Sequence, residues 1–324
     1  MARLRLGRRR FGLALAGVLT AGLLTGCAEA QQNPSGPSVT VEHAMGRTVV
    51  PAHPARVVVL DTPELDAVTA LGVRPVGAAV VDPGTLDLPG YLRAELQGTE
   101  RVGSMDEPSL EKIATLKPDL ILSSKTRHEQ IYPQLARIAP TVFAETPGYS
   151  WKDNFRLYAK ALGKDSEADA LLATYQRRAT GLGSAFAAAN GGVPPTVSVV
   201  RFIDGPTRLY QKKTFSGVVL SDLGVRRPPA EDVDDFSLDV GPELADKADA
   251  DYVFTMSYGD PAKSQQQSFT ASPLWHTLNA VRTHRVFPVS DEVWMLGIGV
   301  QGANLVLDDI ARAAAVDPMR GPIR

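Results

Sequence analysis

Short apolar runs alternate with segments of helical periodicity along most of this chain. The run RVVVLD from Arg56 is apolar up to its last residue, as in a parallel strand that is buried on both faces. The following segment ELDAVTALGV places Leu65, Val68 and Leu71 at helical spacing and ends at Gly72, a typical helix C-terminus. Strands separated by helices predict an α/β fold in which helices cover a parallel sheet.

The alternation continues, is interrupted once, and then resumes. The segments VGAAVV, SLEKIATLKPDLILSS and HEQIYPQLARIAPTVFAE predict further strands and helices. From Trp151 to Ala189 the chain has no proline and no strand-like run, and the capping-box pattern of Ser166 and Asp169 predicts the start of a long helix. Strand and helix patterns return from TVSVVRF to GANLVLDDIARAAA.

We therefore predict an α/β fold of two lobes, with mainly parallel sheets flanked by helices and joined by one long helix. The predicted divisions are an N-terminal lobe over residues 39–150, a bridging helical segment over residues 151–190 and a C-terminal lobe over residues 191–324.

The two predicted lobes share local features. The tetrapeptide LGVR occurs at residues 71–74 and 223–226, each time after a helix-like stretch. Glu111 and Glu243 each stand near a predicted helix start, eight residues before the aspartate that begins the next strand. Acidic residues favour the first turn of a helix because they offset its dipole, and this alone would explain either glutamate. Their matching positions indicate that the lobes are two versions of one unit, and the repeat marks the end of the first helix in each.

The N-terminus indicates export. Five arginines among the first ten residues precede an uncharged apolar run, the pattern of a signal peptide over residues 1–26. The run ends in LTGC, which resembles a bacterial lipobox and predicts lipidation of Cys27; the alternative is a chance cysteine after an ordinary signal. The polar residues 27–38 predict a flexible tether. We expect an extracytoplasmic protein that is lipid-anchored to the membrane of a bacterial cell.

Charge and motif content exclude other classes. With 34 basic and 36 acidic side chains the chain gives no reason to expect a nucleic-acid partner. Its single cysteine cannot form a disulfide within the chain. There is no G-x-S-x-G elbow, and the five histidines show no H-E-x-x-H spacing, so we predict that the protein is not an enzyme.

A series of motifs resembles one family. The lipobox, the tether, RVVVLDTPELDAVTALGVRPVGA, SLEKIATLKPDLIL, IAPT, the long helix and a second α/β half together resemble the iron-siderophore substrate-binding proteins of ABC importers, a cluster that includes vitamin B12 and haem binders. The resemblance covers the chain from about residue 39 to the C-terminus. It implies a ligand in the cleft between the lobes, an ABC permease with a cytoplasmic ATPase as partner, no cofactor and a monomer. In this family one surface glutamate per lobe pairs with permease arginines, and Glu111 and Glu243 hold those positions.

Candidate ligand contacts lie where strands end, because open parallel sheets bind ligands beyond the carboxyl ends of their strands. These loops also hold Asp61, Glu64 and Lys125. Guanidinium groups donate to hydroxamate, catecholate or carboxylate oxygens, and aromatic rings cover the apolar parts of a chelator. The predicted ligand-binding residues are Arg127, Arg201, Arg208, Tyr149, Trp151, Tyr210, Tyr258 and Trp294. The resemblance supports Arg127, which stands eight residues before the leucine of the segment that leads to IAPT.

Several alternatives stay open. An ordinary salt bridge would explain each arginine taken alone, and a core position would explain Trp294. Only His128 lies in a strand-end loop, so we predict no metal ion bound directly by the protein, and such a metal binder is the weaker alternative. The tyrosines keep a haem ligand open, ferric citrate and cobalamin are further ligands known in such a cluster, and a surface lipoprotein without transport function is the alternative of another class. We expect a ferric siderophore, with the hydroxamate type slightly favoured by the segment RHEQIYPQL.

Overall fold

A computed structural model describes residues 36–81 and 87–320 of the chain. The predicted signal peptide, Cys27 and all but the last three residues of the predicted tether lie outside the described residues. Within the described ranges, no helix has the length and apolar character needed to cross a membrane.

The first lobe is a parallel sheet with an added hairpin. Its strands are β1 (Ser38–His43), β2 (Gly46–Pro51), β3 (Val57–Val59), β4 (Gly77–Val80), β5 (Glu100–Ser104), β6 (Leu120–Ser124) and β7 (Thr141–Ala144). Its helices are α1 (Thr62–Ala70), α2 (Leu110–Thr115), α3 (Lys125–His128) and α4 (Tyr132–Ile138), with 3-10 turns at Gly90–Leu92 and Glu129–Ile131. Five strands form the parallel sheet in the order β5-β4-β3-β6-β7. The antiparallel hairpin β1-β2, which packs beside β7, was not predicted.

The bridge consists of two helices, α5 (Trp151–Leu162) and α6 (Asp165–Ala189). With 25 residues, α6 extends over about 37 Å. The predicted capping box is wrong: Ser166 lies within the first turn, and its hydroxyl donates to Glu167 instead of accepting from the backbone. Asp165 and Glu167 still place negative charge in that first turn, where it offsets the helix dipole.

The second lobe is a mixed sheet. Its strands are β8 (Val197–Phe202), β9 (Thr207–Tyr210), β10 (Ser237–Val240), β11 (Tyr252–Ser257) and β12 (Val286–Pro288). Its helices are α7 (Phe215–Leu223), α8 (Gln266–Thr270), α9 (Pro273–Thr277), α10 (Asn279–Arg282) and α11 (Val300–Ala314), with a 3-10 segment at Pro242–Ala248 and a π-helical turn at Glu292–Leu296. The strand order is β10-β9-β8-β11-β12, in which β8, β11 and β12 are parallel and β9 is antiparallel to both neighbours. Arg208 and Tyr210 therefore lie in a strand and not in the predicted loop.

The LGVR repeat marks two helix ends, as predicted. Gly72 and Gly224 follow α1 and α7 with φ of 73° and 75°, the left-handed conformation that favours glycine. The arginines of the repeat are exposed, and each donates from Nε to a backbone carbonyl, Arg74 to that of Glu95 and Arg226 to that of Pro194. They take no part in the site described below.

Helix α11 joins the lobes in addition to α6. The buried carboxylate of Asp66 in α1 accepts from the backbone N–H groups of Gln301 and Gly302 at 3.1 and 3.0 Å, and from the Tyr91 hydroxyl at 3.1 Å. Burial raises the pKa of Asp66 to about 6, although these hydrogen bonds oppose the shift. One continuous apolar cluster contains buried residues of α1, α5, α6, α7 and α11. The two lobes therefore share a core.

Candidate ligand-binding site

The carboxyl ends of the two sheets lie close together. Gly90 and Tyr91, which come after β4 in the first lobe, donate from their backbone N–H groups to Glu292 Oε1 at 2.8 and 3.3 Å. Glu292 comes after β12, a parallel strand of the second lobe. Loops beyond the carboxyl ends of both sheets thus meet, and the side chains at these strand ends border the cleft in which an open α/β fold binds its ligand.

Arg127 is held at this edge of the first lobe. Helix α3 begins directly after β6, and Arg127 Nε donates to Asp61 Oδ2 at 3.0 Å. Asp61 follows β3 and caps α1 by accepting from the N–H of Thr62 at 2.7 Å. The aspartate side chain is 2% exposed and the arginine side chain 35%. Arg127 Nη1 and Nη2 make no hydrogen bond to any residue that the structure describes, so both are available to a ligand.

A second carboxyl group, that of Glu64, is buried near Asp61 and Arg127. Glu64 is fully buried in α1, its Oε1 accepts from the Tyr158 hydroxyl, and its Oε2 has no partner among the described residues. Burial and the nearby Asp61 carboxylate raise the pKa of Glu64 to about 8, against the opposing effect of the Tyr158 hydrogen bond. At neutral pH Glu64 is therefore mostly uncharged, and Asp61 is the carboxyl group that contacts Arg127.

Arg201 in β8 is held by more contacts than Arg127. Its Nε and Nη2 donate to Asp291 Oδ1 and Oδ2 at 2.6 and 2.7 Å, and its Nη1 donates to the Tyr210 hydroxyl at 3.1 Å. The guanidinium lies 4.8 Å from the centre of the Tyr258 ring, within cation–π distance. The side chains of Arg201 and Asp291 are 12% and 10% exposed. Burial raises the pKa of the Asp291 carboxyl, and Arg201 opposes that shift.

Arg208 in β9 is the partner of Arg201 in the antiparallel register, so the two side chains extend from the same face of the sheet. Arg208 Nε donates to Asp239 Oδ1 at 3.0 Å, and its side chain is one-third exposed. Each of the three predicted arginines is thus oriented by an aspartate. Asp239 and Asp291 were not predicted as site residues, and no local pattern in the sequence indicates these pairings.

The predicted aromatic residues separate into exposed and buried groups. Tyr149 and Tyr258 are about half exposed, and both can offer a ring to a ligand. Tyr210 is buried and contributes its hydroxyl to Arg201. Phe236, which was not predicted, is 52% exposed, and its ring centre lies 5.4 Å from that of Tyr210. An apolar residue inside the acidic run EDVDDFS was the available signal for Phe236.

The predicted ligand contacts of Trp151 and Trp294 need correction, because the structure places both rings in the core. Trp151 is 1% exposed at the start of α5 and packs edge-to-face on Tyr175 in α6. Trp294 is fully buried, stacks on Phe254 at 4.7 Å, and donates from its indole nitrogen to Asp309 at 2.9 Å. Both tryptophans lie near strand ends in the sequence, but they point into the protein.

The structure offers no direct metal site in the parts of the chain that it describes. His128 is buried, with Nδ1 at 2.6 Å from the Ser123 hydroxyl and Nε2 at 2.7 Å from the Met105 carbonyl. Burial lowers the pKa of its ring. No group of three or more histidine, cysteine or acidic side chains is arranged to hold a metal ion over the described residues. The cleft side chains are suited to hydrogen bonding with a preformed chelate.

The two predicted docking glutamates have matching positions. Glu111 lies in the first turn of α2, which follows β5 and is capped by Ser109. Glu243 lies in the first turn of the 3-10 segment that follows β10. Strands β5 and β10 are each an edge strand of their sheet, and both glutamates are exposed. Each lobe therefore presents one acidic side chain beyond the carboxyl end of an edge strand.

Two lobes with facing strand ends, a shared helical bridge and an arginine-rich cleft define a two-lobed substrate-binding protein. The model of the periplasmic binding protein family matches residues 57–292, and the chain belongs to this family. The probable siderophore-binding lipoprotein YfiY of Bacillus subtilis is 40% identical over 84% of this chain and 86% of that protein. The achromobactin-binding periplasmic protein of Dickeya dadantii is 35% identical over 81% of this chain and 87% of that protein.

A solved structure supports the assignment to the periplasmic binding protein family. The structure of Staphylococcus aureus SirA complexed with staphyloferrin B matches with a TM-score of 0.78 and 32% identity, over 87% of this chain and all of that chain. The family match and this structure confirm the predicted fold class, including the long connecting helix. Because the family and the named relatives are binding proteins, they also confirm that the chain is not an enzyme.

Proposed function

We propose that the protein captures a ferric siderophore in the cleft between its lobes and delivers it to an ABC permease driven by a cytoplasmic ATPase. The observation that carries this proposal is the set of three arginines, each oriented by an aspartate, where the two sheets face each other. The relatives whose names include siderophores support the same class of ligand. The protein acts as a monomer and performs no chemistry on its ligand.

The exposed edges of the arginines determine how a chelate is bound. Arg127 and Arg208 each use Nε for their aspartate, which leaves Nη1 and Nη2 to donate to hydroxamate, catecholate or carboxylate oxygens. Tyr149 and Tyr258 are available to cover apolar parts of the chelator. Affinity comes from these preorganised contacts, and the shared core of the lobes limits closure to a small movement.

A ligand panel tests the proposal. The purified protein is titrated with ferric hydroxamate, catecholate and citrate complexes, with iron-free chelators, haemin and cobalamin as controls. The three tryptophans are buried, so calorimetry should accompany intrinsic fluorescence. We expect tight binding of at least one ferric chelate. The sequence favours the hydroxamate type slightly, and the panel decides between it and the other two. If no ferric chelate binds, or if haemin or cobalamin binds best, the proposed function is wrong.

The arginines can be tested individually. Arg127→Ala removes a side chain whose terminal nitrogens donate to the chelate, and we expect a loss of about 1.5–3 kcal/mol in binding free energy. Arg74→Ala is the matched control, because Arg74 is an exposed arginine before the start of β4, at the opposite end of the sheet from the strand ends that border the cleft. Equal affinity of the Arg127 variant and the control would place the ligand elsewhere.

Ligand binding and uptake should depend on different residues. We propose that Glu111 and Glu243 pair with basic residues of the permease, one from each lobe. The double change to alanine should leave the dissociation constant of the ferric chelate unchanged and abolish its uptake by cells. Glu95→Ala combined with Glu167→Ala, which removes two other exposed glutamates, should leave both unchanged. Normal uptake by the first double variant would contradict the docking role.

Membrane attachment rests on Cys27. We propose that this residue is lipidated after cleavage of residues 1–26 and anchors the protein at the outer face of the cell membrane. Cys27→Ser should release the protein from the membrane fraction, whereas the wild-type protein should remain there after a high-salt wash. Equal retention of the Cys27→Ser variant would exclude the lipid anchor.

A further inference from the structure

The three arginine–aspartate pairs of the cleft are not equivalent. Arg127 and Arg208 each contact their aspartate through Nε alone. Arg201 contacts Asp291 through both Nε and Nη2, with the two parallel hydrogen bonds by which a guanidinium binds a carboxylate most strongly. The Nε and Nη2 edge of Arg201 is thus already occupied by a carboxylate from the protein.

The protein uses three of the five N–H groups of Arg201, and one N–H on Nη1 and one on Nη2 remain. Nη1 donates to the Tyr210 hydroxyl, and Tyr258 covers one face of the guanidinium. A ligand carboxylate can therefore form the paired contact with Nε and Nη2 only if Asp291 moves away. Asp291 is nine-tenths buried, and its burial costs solvation free energy that is regained when the carboxylate returns to water. Exchange of one carboxylate for another is therefore energetically feasible.

Asp291 stands on an unusual segment of backbone. It directly precedes the π-helical turn Glu292–Leu296, a rare conformation that is frequent at functional sites. The next residue, Glu292, accepts from the backbone N–H groups of Gly90 and Tyr91 in the other lobe. Two adjacent carboxylates thus have separate contacts: one occupies the cleft arginine, and the other holds the turn against the first lobe. The turn is fixed where Asp291 reaches Arg201.

We infer that Asp291 is an intramolecular competitor of the ligand, a carboxylate that occupies Arg201 until a carboxylate of the ferric chelate replaces it. Asp291 thereby lowers the affinity of the cleft for carboxylate-bearing chelates and restricts the Nε and Nη2 edge of Arg201 to ligands that can displace it. This inference rests on the proposed function, because it requires Arg201 to contact the chelate.

The test compares two variants that remove the same charge. Asp291→Asn and Asp239→Asn each take one negative charge from the aspartate partner of a cleft arginine. Only Asp291→Asn breaks a two-bond contact, because an amide offers one acceptor oxygen instead of two to Nε and Nη2. Asp239→Asn keeps an oxygen that can accept from Arg208 Nε. In titrations with ferric citrate, we expect a dissociation constant at least fivefold lower for Asp291→Asn than for either the wild-type protein or Asp239→Asn. Arg201→Ala added to Asp291→Asn should abolish this gain.

Three results would overturn the inference. These are an Asp291→Asn variant that binds ferric citrate no more tightly than the wild-type protein, an equal gain in Asp239→Asn, and a gain that survives Arg201→Ala. Thermal unfolding verifies that each variant is folded, and Asp291→Ser gives a second measurement if the asparagine variant is not. If the wild-type protein binds no ferric chelate of the panel, the proposed function fails. If it binds one, but Asp291→Asn gains no affinity for ferric citrate, only the inference about Asp291 fails.

Discussion

Replacing Glu64 by glutamine should remove a specific pH dependence of stability. The carboxyl group is fully buried, accepts one hydrogen bond from Tyr158 and has a pKa raised from 4.5 to about 8. Its folded pKa lies above its unfolded pKa, so the protonated form is favoured in the folded chain. The stability contributed by this group is fully present below pH 4.5 and is lost as the pH rises through about 8.

The magnitude follows from the difference between the two pKa values. In the window between them, the free energy of unfolding of the wild-type protein falls by about 1.4 kcal/mol per pH unit because of this one group. Between pH 5 and pH 8 the loss is on the order of 3 kcal/mol. Glutamine keeps the acceptor for Tyr158 and does not ionise. Glu64→Gln should therefore nearly match the wild-type protein at pH 5 and be more stable by that amount at pH 8.

Urea unfolding followed by circular dichroism at pH 5, 6, 7 and 8, at constant ionic strength, measures this difference. Asp66, whose pKa is raised to about 6, titrates in the same window in both proteins and cancels in the comparison. Glu111→Gln, which makes the same chemical change at an exposed position, is the matched control. Parallel profiles of Glu64→Gln and the wild-type protein would refute the reasoning, because they would show that Glu64 is ionised in the folded state.

Three further predictions concern stability, each measured by urea unfolding at pH 7. Glu231→Gln should cost about 3–5 kcal/mol because it leaves the buried Arg227 without its charged partner; a loss below 1 kcal/mol would contradict this. Asp66→Ala should cost about 3 kcal/mol because α11 loses the acceptor for two N–H groups; an unchanged midpoint would exclude this role. Gly183→Ala should cost at least about 2 kcal/mol because its Cβ would lie 1.9 Å from a backbone carbonyl of α7. Gly181→Ala in the same helix meets only a flexible methionine side chain and should be neutral or gain about 0.5 kcal/mol, so equal effects of the two glycine changes would contradict the packing argument.

Local patterns predicted most of the architecture and fewer of the contacts in the site. Apolar runs and helical spacing predicted the two sheets, the long bridge and the glycines that end α1 and α7, because these depend on neighbouring residues. The antiparallel strand β9 has only four residues, and Arg208 and Tyr210 among them carry polar groups, so this segment was predicted as a loop. The predicted capping box failed because the helix begins one residue before Ser166.

Pairings between distant residues could not be predicted from one sequence. Arg201 and Asp291 are 90 positions apart, and no local pattern connects them. The position of a residue near a strand end predicted its general place but not the direction of its side chain. Trp151 and Trp294 show the difference, since both stand at strand ends and both rings lie in the core. The three predicted arginines keep polar atoms at the strand ends, because burying such atoms without a partner is costly, and their contact with a ligand stays a prediction.

The position of α11 has a consequence for protein engineering. This helix comes last in the chain, yet its N-terminus is bound by Asp66 of the first lobe and its apolar face belongs to the shared core. A chimaera that combines lobes of two relatives by a single crossover in α6 would separate α11 from the partner that caps it. A functional exchange of ligand specificity should therefore transfer α11 together with the first lobe, in a chimaera with two crossovers. The segments that must be exchanged together, α11 and the first lobe, lie at opposite ends of the sequence.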